Sequence, residues 1–424
     1  MPSPTDPRPP AGRAALSFVL VTVVLDVLSL GIIVPVFPHL VAELVQSGDP
    51  GAVGDTAHAT RVFGWFGTAW AVAQFVCSPI LGALSDRFGR RPVLLASMIG
   101  LGLDYVLMAL APTLVWLFVG RVLSGMTAAS FSTANAYISD VTPPERRGAA
   151  FGAVGAAFGV GFVLGPAVGG LLGGYDPRLP FWVAAGFSLV NAAYGLFVLP
   201  ESLPPERRSP LSWRRANPIG SLVWLASNPG LGGLAAAHLL AAVGQNVYPA
   251  VLVLYAGYRY GWDERAMGLT LAAVGVSSIV VQGGVVRPAL AWLGERRALL
   301  VGLGCASLGY LAYGLAPTGL AMLCAIPIAA LGGLYTPASQ GLMTRRVDAA
   351  RQGSLQGALA GLVGIGSLVS PLLYTRTFAR AIDGSLGFTA PGAPFFVAAG
   401  LLALAVGIGW RATRPGGEAR STGG

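Results

Sequence analysis

The stretch Gly82-Ala83-Leu84-Ser85-Asp86-Arg87-Phe88-Gly89-Arg90-Arg91-Pro92 follows an apolar segment long enough to cross a membrane. Two glycines permit close helix approach and a tight turn, and the charged side chains stand where a backbone would leave a bilayer. An ordinary basic loop requires neither the acid nor this glycine spacing. The stretch therefore singles out Gly82, Asp86, Arg87, Gly89, Arg90 and Arg91 as candidate functional residues at the edge of the membrane.

Composition supports a membrane location for the whole chain. Of 424 residues, 54% are hydrophobic and 11% are charged, against roughly 25% charged in soluble domains. The apolar residues collect in twelve stretches of about 20 residues, the length that crosses a bilayer. We expect an all-α membrane protein whose spans are 14–40, 62–84, 92–111, 114–138, 148–173, 181–200, 230–257, 266–292, 298–316, 319–343, 353–378 and 394–411.

The positive charge has a topological explanation. The chain has a net charge of +9 and no nucleic-acid-binding motif, so we expect no nucleic-acid partner. Most arginines fall in the predicted loops on the side of both termini. The few on the other side are Arg61, Arg178, Arg259, Arg265, Arg376 and Arg380. This bias predicts that both termini are cytoplasmic, in a multi-pass protein of the bacterial inner membrane.

The chain also repeats itself. Ala111-Pro112-Thr113 recurs as Ala316-Pro317-Thr318, and Arg146-Arg147-Gly148 has its counterpart at the same spacing in Arg351-Gln352-Gly353. We therefore expect two six-helix, pseudo-symmetric bundles, residues 1–200 and 230–424, joined by a cytoplasmic linker, 201–229. Transporters built from parallel repeats bind their substrate where the halves meet at mid-membrane.

Small residues dominate the predicted fifth span. They predict one flat helix face for tight packing, and a proline among them is expected to bend the helix. The residues are Gly155, Gly159, Gly161, Gly165, Pro166, Gly169 and Gly170.

Three charged residues lie inside predicted spans: Asp26, Asp104 and Arg121. Each costs roughly 2.5–3.5 kcal/mol at a helix centre, so each should face the protein interior with a partner or water. Our leading hypothesis is that Asp26 carries a coupling proton whose affinity Arg121 modulates, with Asp104 as the second choice. The alternative is a buried Asp–Arg ion pair that has a structural role only and never exchanges a proton.

Uncharged polar side chains inside spans are candidates to line a substrate cavity. Each also fits a simple hydrogen bond to a neighbouring helix. They are Gln74, Asn135, His238, Gln245, Asn246, Tyr248, Gln282, Tyr335 and Gln340.

The Gly82–Pro92 loop resembles the signature loop of the major facilitator superfamily, and the fifth-span pattern resembles the antiporter signature of its drug exporters. Leu25-Asp26, Leu103-Asp104-Tyr105, Gly120-Arg121 and Gly261-Trp262 extend the likeness to the tetracycline/proton antiporters. The resemblance implies the twelve-helix facilitator fold and proton-coupled export of a small amphipathic molecule by alternating access, with Asp26 and Asp104 required for transport.

The resemblance also implies a role for the signature loop. Its glycines, Asp86 and its arginines would form a cytoplasmic gate together with Asp140. In this gate Asp86 would accept hydrogen bonds from the N-terminus of the eleventh helix, near Gln352, and Arg90 would pair with Asp140, as in a latch. These contacts would favour an outward-facing state.

Two positions depart from the family pattern. An eighth-span His and a ninth-span Asp, which serve metal–tetracycline recognition and proton coupling in well-known members, correspond here to Ser278 and Ala306. Tetracycline-like compounds are possible substrates; another drug, a metabolite or a siderophore-like compound are alternatives. A non-transporting membrane sensor or a facilitator-type transporter of another metabolite is the competing function.

Enzymatic chemistry is not indicated, because no Walker loop, GxSxG or HExxH is present. We expect no catalytic residue, metal or cofactor. The expected partners are a small-molecule substrate, protons and the lipid bilayer, around a monomer.

Overall fold

The computed structural model describes residues 11–48, 55–128, 130–143, 146–208, 222–223, 225, 227–228, 230–348, 351–385 and 387–414. Over these residues the chain forms helices and turns, with no strand. A helix satisfies its own backbone hydrogen bonds, which is what a segment in hydrocarbon requires. Most of the predicted linker, including 209–221, lies outside the described residues.

The described helices make twelve membrane passes. Nine are long and apolar enough to cross a bilayer, and a pair bent by 41° adds the first span. One of the nine, Glu264–Leu315, has 52 residues, enough for two passes. Its chain reverses at Gly294, where φ is 73°. Leu114–Thr127 and Ser130–Val141 together form the remaining span. The predicted twelve-helix fold is confirmed.

The spans have the following helical bounds. In the first half they are Ala11–Ile33 with Phe37–Gly48, Thr56–Phe88, Arg90–Leu110, Leu114–Thr127 with Ser130–Val141, Arg147–Gly173 and Leu179–Val198. In the second half they are Gly232–Gln245 with Val247–Tyr260, then Glu264–Val280, the π turn Val281–Val285 and Val286–Leu315, which Gly294 divides into the eighth and ninth spans, and finally Gly319–Ala330 with Tyr335–Thr344, Gln352–Ile382 and Ala393–Ala412.

The first, fourth, seventh and tenth spans are interrupted, although the sequence predicts continuous helices for them. The first breaks around Pro35, which cannot donate a backbone hydrogen bond. The seventh breaks at Asn246, and the tenth tightens into a 3₁₀ turn at Leu331–Leu334. Equivalent spans are therefore broken in both halves, as expected of helices that surround a transport site.

The second and eleventh spans, and the fifth and eighth spans, pack closely against each other between the halves. In the second–eleventh pair, a Cβ at Gly67 would lie 2.9 Å from the Pro371 side chain. In the fifth–eighth pair, a Cβ at Gly170 would lie 2.8 Å from Gly268 Cα. Glycines at these positions let the two halves approach backbone to backbone.

The two ends of the bundle differ. We name them the Asp86 end and the Asp383 end. At the Asp383 end, Arg61 Nη1 lies 3.6 Å from Asp383 Oδ2, and His39 Nδ1 lies 3.2 Å from Glu264 Oε1, each pair joining the halves.

At the Asp86 end, a Cβ at Gly82, Gly155 or Gly353 would meet no other part of the described chain within 4 Å. The bundle is thus closed at the Asp383 end and open at the Asp86 end.

Candidate functional site

A central cavity lies where the halves meet, and it has two adjoining lobes. The Arg121 lobe, of about 230 Å³, is bounded by both halves. The Gln282 lobe, of about 340 Å³, lies mainly in the second half. Val34, Phe162 and Pro249 border both lobes. Together the lobes have the volume of a typical small-molecule site.

Arg121, on the fourth span, is the charged residue in the wall of its lobe. Its guanidinium carbon lies 4.8 Å from the ring centre of Phe37 and 5.4 Å from that of Trp70. Its Nε is buried and has no hydrogen-bond partner among the described residues. Two aromatic faces therefore stabilise the cation at the cavity wall.

Asp104, on the third span, lies beside Arg121 and interacts with it electrostatically. Its side chain is 2% exposed, and within the described part of the chain neither carboxylate oxygen accepts a hydrogen bond. A Cβ at Gly120 would lie 3.0 Å from Asp104 Oδ1, so this glycine makes room for the acid. A buried carboxylate without hydrogen bonds is costly, which is typical of a functional group.

Asp26, on the first span, has a different environment. It is 5% exposed, and Asn191 Nδ2 donates to its Oδ1 at 3.5 Å. Thr22 in turn donates to Asn191 Oδ1 at 3.2 Å. Tyr105 lies within electrostatic reach of Asp26, Asp104 and Arg121. The fold thus gathers the three predicted charged residues on one side of the cavity.

The Gln282 lobe is polar but uncharged. The π turn carries Gln282 into its wall, beside Ser278, one turn earlier. Gln245 and Tyr248 of the seventh span also line it, and the Tyr248 hydroxyl donates to the Tyr313 hydroxyl. A π turn often marks a functional position in a helix.

Ala306, the second departure from the family pattern, is 1% exposed and packs in the core. A Cβ at Gly332 of the tenth span would lie 2.8 Å from the Ala306 Cβ.

The other predicted cavity residues occupy varied positions. Asn246 borders the Arg121 lobe, where its Nδ2 donates to Ala242 O at 2.8 Å. His238 is 3% exposed and lies beside Tyr335, with ring centres 5.8 Å apart and the ring planes tilted by 48°. Neither lobe includes His238, Tyr335, Gln74, Asn135 or Gln340 in its described lining. Gln74 and Gln340 are half-buried, and Asn135 is exposed.

Sequence reasoning missed several lining residues, among them Tyr310, Ser367 and Ser370. It also missed Asn191 as the partner of Asp26. An asparagine in the middle of the sixth span is the signal that could have identified it.

The signature loop is tied together within the first half. Arg90 Nη1 lies 2.5 Å from Asp86 Oδ1, and Arg90 Nε lies 3.2 Å from Asp140 Oδ2. Gly89 has a φ of 109°, which favours glycine, and Glu201 lies against it. Glu201 Oε1 accepts from the Arg90 backbone at 2.8 Å, a partner that the sequence did not indicate.

Two other members of the predicted gate have different surroundings. Arg91 Nη2 donates to Leu196 O at 2.7 Å, and Arg87 lies over the ring of Phe88. Gln352, at the start of the eleventh span, donates to Thr344 O and Val347 O. The loop's contact with the eleventh span remains a prediction about another conformation.

The small residues of the fifth span form two faces, where the sequence indicated one. Gly161, Gly165 and Gly169 pack against the first span; a Cβ at Gly165 would lie 2.8 Å from Gly31 Cα. Gly159 and Gly170 pack against the eighth span. The four-residue spacing accounts for the first face only. Pro166 lies within the fifth-span helix, and its Cδ would be 3.0 Å from a Cβ at Gly31.

Twelve spans in two related halves, with broken helices around a central cavity, define a secondary membrane transporter. Residues 19–371 match the model of the Major Facilitator Superfamily. The chain belongs to this superfamily.

Comparison with individual proteins identifies a narrower family within this superfamily. The chain is 37% identical over 367 residues to the tetracycline resistance protein, class C, of Escherichia coli, which covers 87% of this chain and 90% of that protein. It is 33% identical over 371 residues to the class B protein of Escherichia coli, with 87% and 90% covered. The chain therefore belongs to the same family as these tetracycline resistance proteins and is not an enzyme.

A solved structure supports the fold. The human organic anion transporter MFSD10 (TETRAN) superposes with a TM-score of 0.70 at 23% identity, over 95% of this chain and 100% of that one.

Proposed function

We propose that the protein is a proton-coupled antiporter that exports a small amphipathic molecule, with tetracycline-like compounds among the candidates. The buried pair of Asp104 and Arg121 beside the central cavity carries this proposal. A proton-driven exporter needs a group that exchanges a proton and a residue of the substrate site that responds to the charge of that group. Asp104 is the first and Arg121 is the second, since Arg121 borders the cavity and Asp104 lies behind it.

The arginine bias assigns the open Asp86 end to the cytoplasm, together with both termini. In this orientation the structure corresponds to an inward-facing state, with the cavity accessible from the cytoplasm. The substrate would enter from that side. We propose that the protein acts as a monomer in the inner membrane, with bundles 1–200 and 230–424 moving about linker 201–229.

Proton exchange would proceed at Asp104, with Asp26 as the second candidate, which reverses the order that we expected from the sequence. The reason for the change is that Asp104 interacts with Arg121, whereas Asp26 accepts a hydrogen bond from Asn191. An ionised Asp104 would draw the Arg121 guanidinium toward itself, away from Phe37 and Trp70. A protonated Asp104 would leave Arg121 between the two rings, in the wall of the cavity. Because Arg121 borders the substrate site, the protonation state of Asp104 changes the shape and charge of that site.

Closure of the Asp86 end would complete the cycle. Asp86 is half-exposed, so it remains accessible to the N-terminus of the eleventh span when the halves approach. The helix dipole there favours a carboxylate. Opening of the Asp383 end would separate Arg61 from Asp383 and His39 from Glu264.

The test is transport by the purified chain in proteoliposomes that carry a pH gradient and an internal pH reporter. Tetracycline and unrelated amphipaths are added in turn. A substrate of a proton antiporter collapses the gradient, whereas protein-free liposomes show only leakage. Failure of every amphipath to collapse the gradient would contradict antiport and favour the non-transporting alternative.

A further inference from the structure

We propose that the substrate is recognised without a metal ion, as an amphipath with no net positive charge whose polar edge is hydrogen-bonded by uncharged side chains of the Gln282 lobe. This inference rests on the proposed transport function, since it concerns the same cavity.

The charges of the cavity wall are the first support. Among the described residues that line the two lobes, Arg121 is the one that carries a charge, and the lining includes no Asp, Glu or His. Mg²⁺ and similar hard cations are bound in proteins through carboxylate and other oxygen ligands. A cationic metal chelate in this cavity would face a like charge and lose hydration without an anionic partner.

The two membrane acids do not supply that partner. Asp104 and Asp26 are 2% and 5% exposed and border neither lobe. Asp26 accepts a hydrogen bond from Asn191, and Asp104 interacts with Arg121. Reaching the cavity would require Asp104 to displace the arginine that it attracts. The two acids therefore interact with Arg121 and Asn191, and they are not placed to coordinate a chelated ion in the cavity.

The Gln282 lobe instead offers uncharged groups that can recognise a substrate by hydrogen bonds. Two amides, of Gln245 and Gln282, and the hydroxyl of Ser278 provide donors and acceptors in its wall. Apolar surface from Phe162 and Val34 faces the same space. A ring system with hydroxyl, carbonyl or amide groups along one edge matches this arrangement, because each polar edge group finds an uncharged partner.

Tetracycline is a suitable probe because its oxygen-rich edge exists in two forms. In EDTA at neutral pH it is a metal-free zwitterion, and in excess MgCl₂ it is a cationic chelate. Binding to the full chain in detergent is followed by quenching of tryptophan fluorescence, with Trp70→Phe showing how much signal comes from the cavity. We expect the metal-free form to bind at least about tenfold more tightly than the chelate.

The position of Ser278 allows the preference to be reversed. Ser278→Asp adds a carboxylate to the lobe and should make Mg²⁺ strengthen binding. The matched variant Ser278→Asn adds a similar volume without charge and should keep the preference for the metal-free form.

Several results would overturn the inference. These are binding to the wild type only in Mg²⁺, no binding of metal-free tetracycline, or an unchanged metal preference in Ser278→Asp despite retained binding. Because this readout is equilibrium binding, it is independent of the pH-gradient assay. A chain that binds metal-free tetracycline but fails to collapse a gradient would contradict antiport alone.

Discussion

Arg61 Nη1 lies 3.6 Å from Asp383 Oδ2, so one ion pair joins the start of the second span to the end of the eleventh across the two halves. Asp383 is further stabilised as an anion by its neighbours. Hydrogen bonds from the side chain and backbone of Ser385, assisted by Arg61 and Arg380, hold the pKa of Asp383 below its usual value. The residues at this end thus favour a closed arrangement of the halves.

Asp383→Asn should shift the protein toward opening of the Asp383 end. Because an exposed ion pair is weakened by solvent, the ratio of closed to open molecules should fall by no more than about fivefold. Spin labels on exposed positions of the second and eleventh spans would report the distance, after replacement of the free cysteines Cys77, Cys305 and Cys324. The charge exchange Arg61→Asp with Asp383→Arg should restore the closed distance. An identical distance distribution in Asp383→Asn would show that the pair contributes nothing.

The direction of the Asp383 pKa shift predicts the pH dependence of this contact. A carboxylate whose pKa is lowered contributes its stabilisation above the ordinary carboxyl pKa and loses it as pH falls through the lowered value. The contribution of Asp383 should therefore be constant from about pH 8 to pH 5 and decline only below about pH 4. Comparing the label distance in wild type and Asp383→Asn across this range isolates it. A difference between them that vanishes already at pH 6 would contradict the assignment.

Hydropathy predicted the twelve spans because a bilayer imposes one length and one composition on every helix. The sequence also identified Asp26, Asp104 and Arg121 as functional candidates, since a charge in an apolar span has few explanations. It did not identify the residues that they contact. Asn191 lies 165 positions from Asp26, and a contact over that separation depends on helix rotation and packing that local pattern does not specify.

The sequence did not predict the breaks in the helices or the open end of the bundle, for other reasons. The π turn that carries Gln282 adds one residue to a turn, which leaves the apolar pattern of the helix nearly unchanged. Which end is open depends on a balance between two states that one sequence must support. Motifs around Asp86 indicate a gate but carry no information on whether it is closed.

The fifth-span glycines allow a matched comparison of packing. A Cβ at Gly169 would overlap the backbone of Ile32, whereas one at Gly155 would meet nothing within 4 Å in the described chain. Gly169→Ala should therefore lower the free energy of unfolding by about 1–3 kcal/mol through overpacking. Gly155→Ala should be neutral or stabilising by up to about 1 kcal/mol, because alanine favours a helix. Thermal unfolding in detergent measures both. Equal effects at the two positions would contradict the packing described for the first and fifth spans.

Glu201 should stabilise the Asp86 end, although it belongs to the predicted linker. Its Oε1 accepts from the backbone of Arg90 at 2.8 Å and from that of Leu203 at 3.0 Å. Glu201→Ala should lower the unfolding free energy by about 1 kcal/mol, since an exposed site retains water as a substitute partner. Glu206→Ala is the control, because Glu206 is an exposed acid in the same segment. A melting temperature unchanged by Glu201→Ala, or lowered equally by both, would remove Glu201 from this role.

Proton coupling and substrate movement can be separated at Asp104. Asp104→Asn keeps the size of the side chain but removes the group that exchanges a proton, so uphill export driven by a pH gradient should fall at least tenfold. Exchange of labelled for unlabelled substrate needs no net proton movement and should continue. Asp176→Asn is the control, because Asp176 is an exposed acid in the loop between the fifth and sixth spans. Wild-type uphill export by Asp104→Asn, with loss of it in Asp26→Asn, would assign the proton to Asp26. Loss of exchange as well as uphill export would assign Asp104 to the binding or movement of the substrate, because a group that acts only in proton coupling leaves exchange intact.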